Sequence, residues 1–232
     1  MSKVLITQSN YIPWKGYFDA INLADIFIIF DEMQYTKRDW RNRNKIKTPN
    51  GTTWLSIPVQ VKGKYFQKIN ETRVIDHSWR EKHFKNIVQF YNKSDYFDNY
   101  IGAIEKLYLG SREELLTEIN IKFITWVNSI LGIETKVFRS SNFELAEGKT
   151  ERLVKLCEEF DATEYITGPA ARQYMDESLF NISNIKIKYL DYNGYPEYNQ
   201  LYDGFNHDVT ILDLIFNTGP CFSQYMKSFK NE

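Results

Sequence analysis

Two periods of apolar positions alternate along this chain. Residues 3 to 8, Lys-Val-Leu-Ile-Thr-Gln, form a short β-branched run stopped by Ser9-Asn10, and residues 25 to 31 form a continuous apolar run. Both read as buried strands of a parallel sheet. Between them Tyr17, Phe18, Ala20, Ile21 and Ala24 make one helical face, so the opening is a βαβ unit. Further on, Pro49-Asn50-Gly51 turns the chain before a strand over Thr52 to Val59, which predicts a hairpin, and Lys68 to Ile75 is a candidate further strand. Residues 78 to 131 then read as helical. Ser78 three before Glu81 fits a capping box, Tyr96 to Leu109 is amphipathic, and Ser111 to Glu114 opens a helix that stops at Gly132.

Alternation then resumes: a strand over Thr135 to Phe138, a helix over Thr150 to Phe160, strands over Glu164 to Thr167 and Ile185 to Tyr189, and a helix from Val209 to Phe216. The pattern predicts an α/β fold built on an open, mostly parallel, Rossmann-like sheet. A single α/β domain over 1–232 is expected, with a β-hairpin insertion at 37–75 and a helical insertion at 78–131.

Composition narrows the chemistry. The 232 residues are 43% hydrophobic, with 16 Tyr, 16 Phe and 5 Trp, which excludes disorder and predicts aromatic-lined pockets. Lys and Arg total 29 against 30 Asp and Glu, so any anion site must be local and nucleic acid is a disfavoured partner. Two cysteines make no disulfide framework, which favours a reduced, cytoplasmic location. No signal peptide is visible, and the longest apolar stretch, Ile26 to Phe30, is too short for a membrane span.

The strongest local signal is the run from Lys37 to Lys47, with six cations and one anion. At period two, Arg41, Arg43, Lys45 and Lys47 share one face of an extended segment, with Asn42 and Asn44 opposite and Trp40 alongside. The run is read either as a solvated hairpin face or, preferably, as a site for an anionic small ligand. The loop from Gln8 to Gly16 lies where open α/β sheets bind ligands but lacks GxGxxG. Asp31 ends the second strand at the same edge, as a turn cap or a proton acceptor. Gly148-Lys149-Thr150 resembles the end of a P-loop, yet Phe143 stands where the first glycine belongs, leaving only a helix start with a lysine. Gly168 and Arg172 follow the 164–167 strand at the ligand-bearing edge. His77 and His83 point to different faces and make no zinc pair, so no metal site is expected. His207 reads as a loop residue or a proton carrier.

Gln8 to Phe18, Asp31 to Tyr35, Lys37 to Arg43, Trp54-Leu55, Pro58-Val59, Tyr165 to Pro169, Tyr195 to Tyr198 and Ile211 to Asn217 together resemble the WbqC-like family, over essentially the whole chain. The resemblance implies a role in surface polysaccharide (O-antigen) synthesis. It also implies a transferase placing a glycyl or related acyl group on the amine of a nucleotide-linked amino sugar. The alternative is a non-catalytic sugar-nucleotide-binding partner in a polysaccharide assembly complex. Separately, Trp14-Lys15-Gly16-Tyr17 has the spacing and place of the HxGH element of nucleotidylyl-transferring folds, with both histidines replaced. On that comparison the ligand could be ATP, an amino acid being activated as an adenylate, with Lys15, Arg38 or Arg41 stabilising the phosphoryl group; the cofactor is otherwise undetermined. Candidate substrate contacts are Gln8, Tyr11, Trp14, Lys15, Tyr17, Lys37, Arg38, Trp40, Arg41, Asn42, Arg43, Lys45, Gly168 and Arg172, with Asp31 and His207 as candidate proton acceptors.

Overall fold

The computed structural model describes residues 2–229. Strands β1 (Ser2–Thr7), β2 (Ile26–Ile29), β5 (Lys136–Arg139), β6 (Ala162–Thr167) and β7 (Lys186–Tyr189) form one sheet in the order β5-β2-β1-β6-β7. Every pairing in it is parallel. Strands β3 (Arg43–Thr48) and β4 (Gly51–Ser56) form a separate antiparallel hairpin. The predicted α/β class, parallel sheet and inserted hairpin are what the chain forms.

Period-two alternation in β1 and β2 explains the layers. Leu5, Phe27 and Ile29 face a core shared with helix α1 (Lys15–Asn22), whose Tyr17, Phe18 and Ile21 are buried, while Val4, Ile6, Ile26 and Ile28 face a second core. That second core is closed by Leu153, Leu156 and Cys157 of α5 (Glu151–Glu158) and Phe180 of α6 (Glu177–Ile182). Helices α2 (Trp79–Tyr91), α3 (Phe97–Leu109) and α4 (Leu116–Leu131) join the hairpin on the first face, together with α7 (Ile211–Thr218). The α7 residue Asp213 has no exposed surface. Its carboxylate accepts hydrogen bonds from Tyr91 (2.9 Å), Tyr198 (2.8 Å) and Gln200 (2.9 Å), which binds the 195–210 segment to the core. No helix among the described residues is long and apolar enough to cross a membrane.

Several local expectations are corrected. Lys68 to Ile75 is no strand: Lys68 N donates to the Glu71 carboxylate (3.0 Å) and Thr72 Oγ1 to Lys68 O (2.8 Å), closing a 3-10 turn, and only single bridges pair it with neighbours. Ser78 does not cap α2, because its amide and hydroxyl both donate to Asp76. Helix α4 starts at Leu116 rather than Ser111, since Val74 N and Leu116 N pair the preceding residues with the 72–74 segment. Helix α6, absent from the periodicity reading, is a six-residue piece announced by Asp176, which accepts from Ser178 N (3.0 Å).

His83 of α2 is buried, with Nδ1 2.9 Å from the Tyr11 hydroxyl, and burial lowers its pKa from 6.5 to about 4. Its unfolded form takes up a proton below pH 6.5 that the folded form refuses until about pH 4. Stability is therefore expected to fall across that window by about 3 kcal/mol. Urea melts at stepped pH should show this slope, flattened in His83→Gln.

Candidate functional site

The order of the strands determines where a ligand can sit. From β1 the chain moves outward to β2 and β5, then returns to the other side of β1 for β6 and β7. Connections leave β1 and β6 in opposite directions, opening a crevice beyond their carboxyl ends. A cavity of about 380 Å³ lies there, lined by Thr7, Gln8 and Tyr17 on one side, Thr167, Gly168 and Tyr174 on the other, and Lys149, Arg152 and Tyr192 at its margin.

The loop after β1 forms one wall and is held in a demanding conformation. Ile12 has φ 41°, in the left-handed region that a β-branched residue rarely enters. What over-determines it is a set of buried contacts. Asp31 accepts from Ser9 N (2.8 Å), Ser9 Oγ (2.6 Å) and Thr117 Oγ1 (2.6 Å), and Asn44 Nδ2 donates to Tyr11 O (3.2 Å) and Ile12 O (2.6 Å). Tyr11 is itself wholly buried, with its hydroxyl 2.6 Å from that of Tyr108. Tyr11 is thus an interior anchor of the loop, against the substrate contact expected for it, while Asn44 both pins the loop and borders a second pocket.

A second, smaller pocket of about 190 Å³ lies on the far side of the same loop, lined by Asn10, Pro13, Trp14, Trp40, Asn44 and Asp208. Little separates the two. The Arg41 guanidinium donates to Gln8 Oε1 (3.0 Å), which lines the larger cavity, and to Asn10 Oδ1, which lines the smaller. Trp14 of the smaller pocket meets Tyr192 of the larger, ring centres 5.4 Å apart. Asn120 Nδ2 fixes Arg41 from behind, donating to its carbonyl (2.9 Å).

The basic run does not make the continuous cationic face that its period suggests. Arg41 precedes β3, Lys47 is buried with its ammonium donating to Gly204 O, and Asn42 Nδ2 is spent on Ile57 O (2.9 Å). Arg43 lies 4.0 Å over the Trp54 ring, and Lys45 is 3.7 Å from the Asp208 carboxylate. Lys37 and Arg38 are exposed; Lys37 borders a different groove, and Arg38, at φ 59°, offers its carbonyl to Arg43. Lys15 is buried, donates to Pro196 O (2.7 Å) and lies 5.1 to 5.9 Å from the rings of Tyr195, Tyr198 and Phe205. Burial lowers its pKa to about 8 against the opposing pull of Asp19, Asp213 and Glu197. Lys15 is committed to the interior, against the phosphate role considered for it, and Arg38 lines neither pocket. Arg172 stacks 3.9 Å from the Tyr189 ring centre instead of lining the cavity.

The two candidate proton acceptors are placed apart in kind. Asp31 is buried and fully engaged by the hydrogen bonds above. His207 is half-buried beside Asp208, with its Nδ1 unpartnered, and its pKa is lowered first by burial and then by Lys15. It lines neither of the two pockets, so the proton-acceptor role considered for it is not supported by its position. The sequence reading missed Lys149 and Arg152, the two cations at the larger cavity. Their signal was present in Gly148-Lys149-Thr150: Gly148 takes φ 95° and its carbonyl accepts from Arg152 Nε (2.6 Å), so the turn that resembles a P-loop end does position cations. The ATP comparison fares worse. A Cβ on Gly16 would lie 2.2 Å from the Trp14 ring, so the backbone surface that an HxGH element offers a phosphate is covered by the protein's own indole. No step through ATP follows from these residues.

The model of the WbqC-like protein family matches residues 8–225, which takes in the smaller pocket, the loop and the lining of the larger cavity other than residues 5–7. The chain belongs to the WbqC-like protein family. An uncharacterized protein of Mycobacterium tuberculosis is 46% identical over 227 residues, spanning 98% of each chain. No solved structure matches. The family resemblance read from the sequence is therefore upheld, and the matched span contains Asp31, Arg41 and Trp14 alike.

Removing the Asp31 carboxylate strands the Ser9 amide and two hydroxyls in the interior. Asp31→Ala is expected to lose about 3 kcal/mol of stability, read as a lower midpoint in urea with an unchanged slope.

Proposed function

We propose that this protein is a transferase that forms an amide on the amine of a nucleotide-linked amino sugar, in the assembly of a surface polysaccharide such as O-antigen. The observation that carries the reading is the pair of pockets on either side of one pinned loop. An amide-forming transfer brings two substrates together, and here a larger and a smaller pocket share a wall of Gln8, Asn10 and Arg41. Membership of the WbqC-like family supports the pathway.

In this reading the sugar nucleotide occupies the larger cavity. Lys149 and Arg152 meet its diphosphate, Tyr17, Tyr174 and Tyr192 pack on its rings, and Gly168 permits close approach. The acyl donor enters the smaller pocket between Trp14 and Trp40. The sugar amine attacks the donor's carbonyl carbon, the C–N bond forms as the bond to the leaving group breaks, and the amine proton passes to the Asp208 carboxylate that lines the smaller pocket. Arg41, at the partition, offers positive charge to the oxygen that becomes negative on the way.

A second reading, a non-catalytic sugar-nucleotide-binding partner, is favoured by one feature: among the described residues, no carboxylate or imidazole lines the larger cavity. Turnover separates the two readings, because a transferase yields an acylated amino sugar detectable by mass spectrometry and a binding partner yields none.

For the site itself, Lys149→Ala with Arg152→Ala is expected to weaken binding of a uridine- or thymidine-diphosphate amino sugar about a hundredfold by calorimetry. Arg43→Ala with Lys45→Ala should leave that affinity within about threefold. The reverse ranking would move the diphosphate to the hairpin and refute this assignment.

A further inference from the structure

Residues 60–67 form a loop that takes no part in either pocket. Its frame is well tied: Gln67 Nε2 donates to Gln60 O (2.6 Å), Gln34 Nε2 to Tyr65 O (2.8 Å) and Tyr35 N to Gln67 O (2.9 Å). Gly63, at φ 72°, makes the turn. On this frame Tyr65 and Phe66 stand outward, 74% and 82% exposed, with their rings packed edge to face at 4.9 Å. Two adjacent aromatic rings left almost wholly in water, on a backbone that hydrogen bonds hold in place, call for an apolar surface to cover them.

The charges around the rings say which surface. Lys62, Lys64 and Lys68 flank them and are exposed, and Lys37 lies exposed across the adjoining groove. One exposed acid, Glu71, borders the same groove and accepts from the Lys68 amide, and Arg73 is paired with Glu114 at 2.7 Å. The loop therefore presents aromatic rings at its tip with four lysines around them that make no salt bridge among the described residues, an excess of positive charge over the single Glu71. Rings of this kind settle at the boundary between lipid headgroups and acyl chains, where flanking lysines meet lipid phosphates. We propose that the Lys62–Lys68 loop docks the protein on an anionic lipid surface, with Tyr65 and Phe66 inserted among the headgroups. This inference stands on the loop alone and does not rest on the function proposed above.

Vesicle co-sedimentation of the full chain tests it. Binding is expected to mixed phosphatidylcholine–phosphatidylglycerol vesicles, to be weak on phosphatidylcholine alone, and to fall as salt rises. Lys62→Ser and Lys64→Ser should each weaken it about fivefold, and Tyr65→Ser with Phe66→Ser should abolish it. All four positions are exposed, so the variants should keep the parent melting temperature. Phe66→Trp adds a direct readout, an emission blue shift on anionic vesicles relative to the parent protein. The proposal is overturned if the parent chain fails to sediment with anionic vesicles or if the aromatic variant binds as well as the parent. It is also overturned if the loop binds poly-glutamate but not vesicles, which would assign it to an acidic protein surface.

Discussion

Everything at the ligand-bearing edge depends on where one buried carboxylate is aimed. Asp31 ends the second strand of the sheet and accepts three hydrogen bonds, two from Ser9 on the loop after β1 and one from Thr117 at the start of α4. A carboxylate with almost no exposed surface is costly to bury unless its oxygens are satisfied, so the arrangement is specified tightly. Through it the sheet, the inserted helices and the first loop take one relative position. Asn120 extends the same network to Ser9 Oγ (3.1 Å) and to the carbonyl of Arg41, so the arginine at the partition is oriented by the group that pins the loop.

That rigidity has a consequence for chemistry. The loop stores strain at Ile12 and is held by Tyr11 in an aromatic cluster with Trp79, His83, Tyr108 and Phe123, so it cannot relax into either pocket. Under the proposed function, a wall of this kind keeps the two substrates at a defined separation, the condition under which proximity lowers a bimolecular barrier. Trp14 contributes to both functions: its indole covers Gly16 at the start of α1 and also faces Tyr192 across the partition. The residues that seal the helix start against a phosphate are those that shape the smaller pocket.

Much of the fold was legible because burial on both faces imposes continuous apolar runs, as in Ile26 to Ile29, and because Gly132 in the left-handed region ends α4 where expected. The misplaced elements share a cause. At Ser78 and Ser111 a neighbouring acid captures the serine hydroxyl, and no local pattern tells which acid wins. The site was less legible for a related reason. Period two correctly placed Arg43, Lys45 and Lys47 on one strand, but whether each side chain meets water, a ring or a carbonyl is decided by segments far along the chain, such as Gly204 against Lys47. Lys149 and Arg152 carry no run at all, and only the return of the chain to β6 brings them beside Gln8. Tyr11 and Lys15, which stand within a conspicuous polar loop, prove to be interior residues.

The central claim is that the crevice between β1 and β6, not the basic hairpin, holds the diphosphate of a sugar nucleotide. A crystal structure with a uridine- or thymidine-diphosphate amino sugar tests it most directly. The account predicts density in the larger cavity, with phosphate oxygens within hydrogen-bonding distance of Lys149 and Arg152 and the sugar directed toward Gln8 and Arg41. Density for the diphosphate against Arg43 and Lys45, with the larger cavity empty, would contradict it.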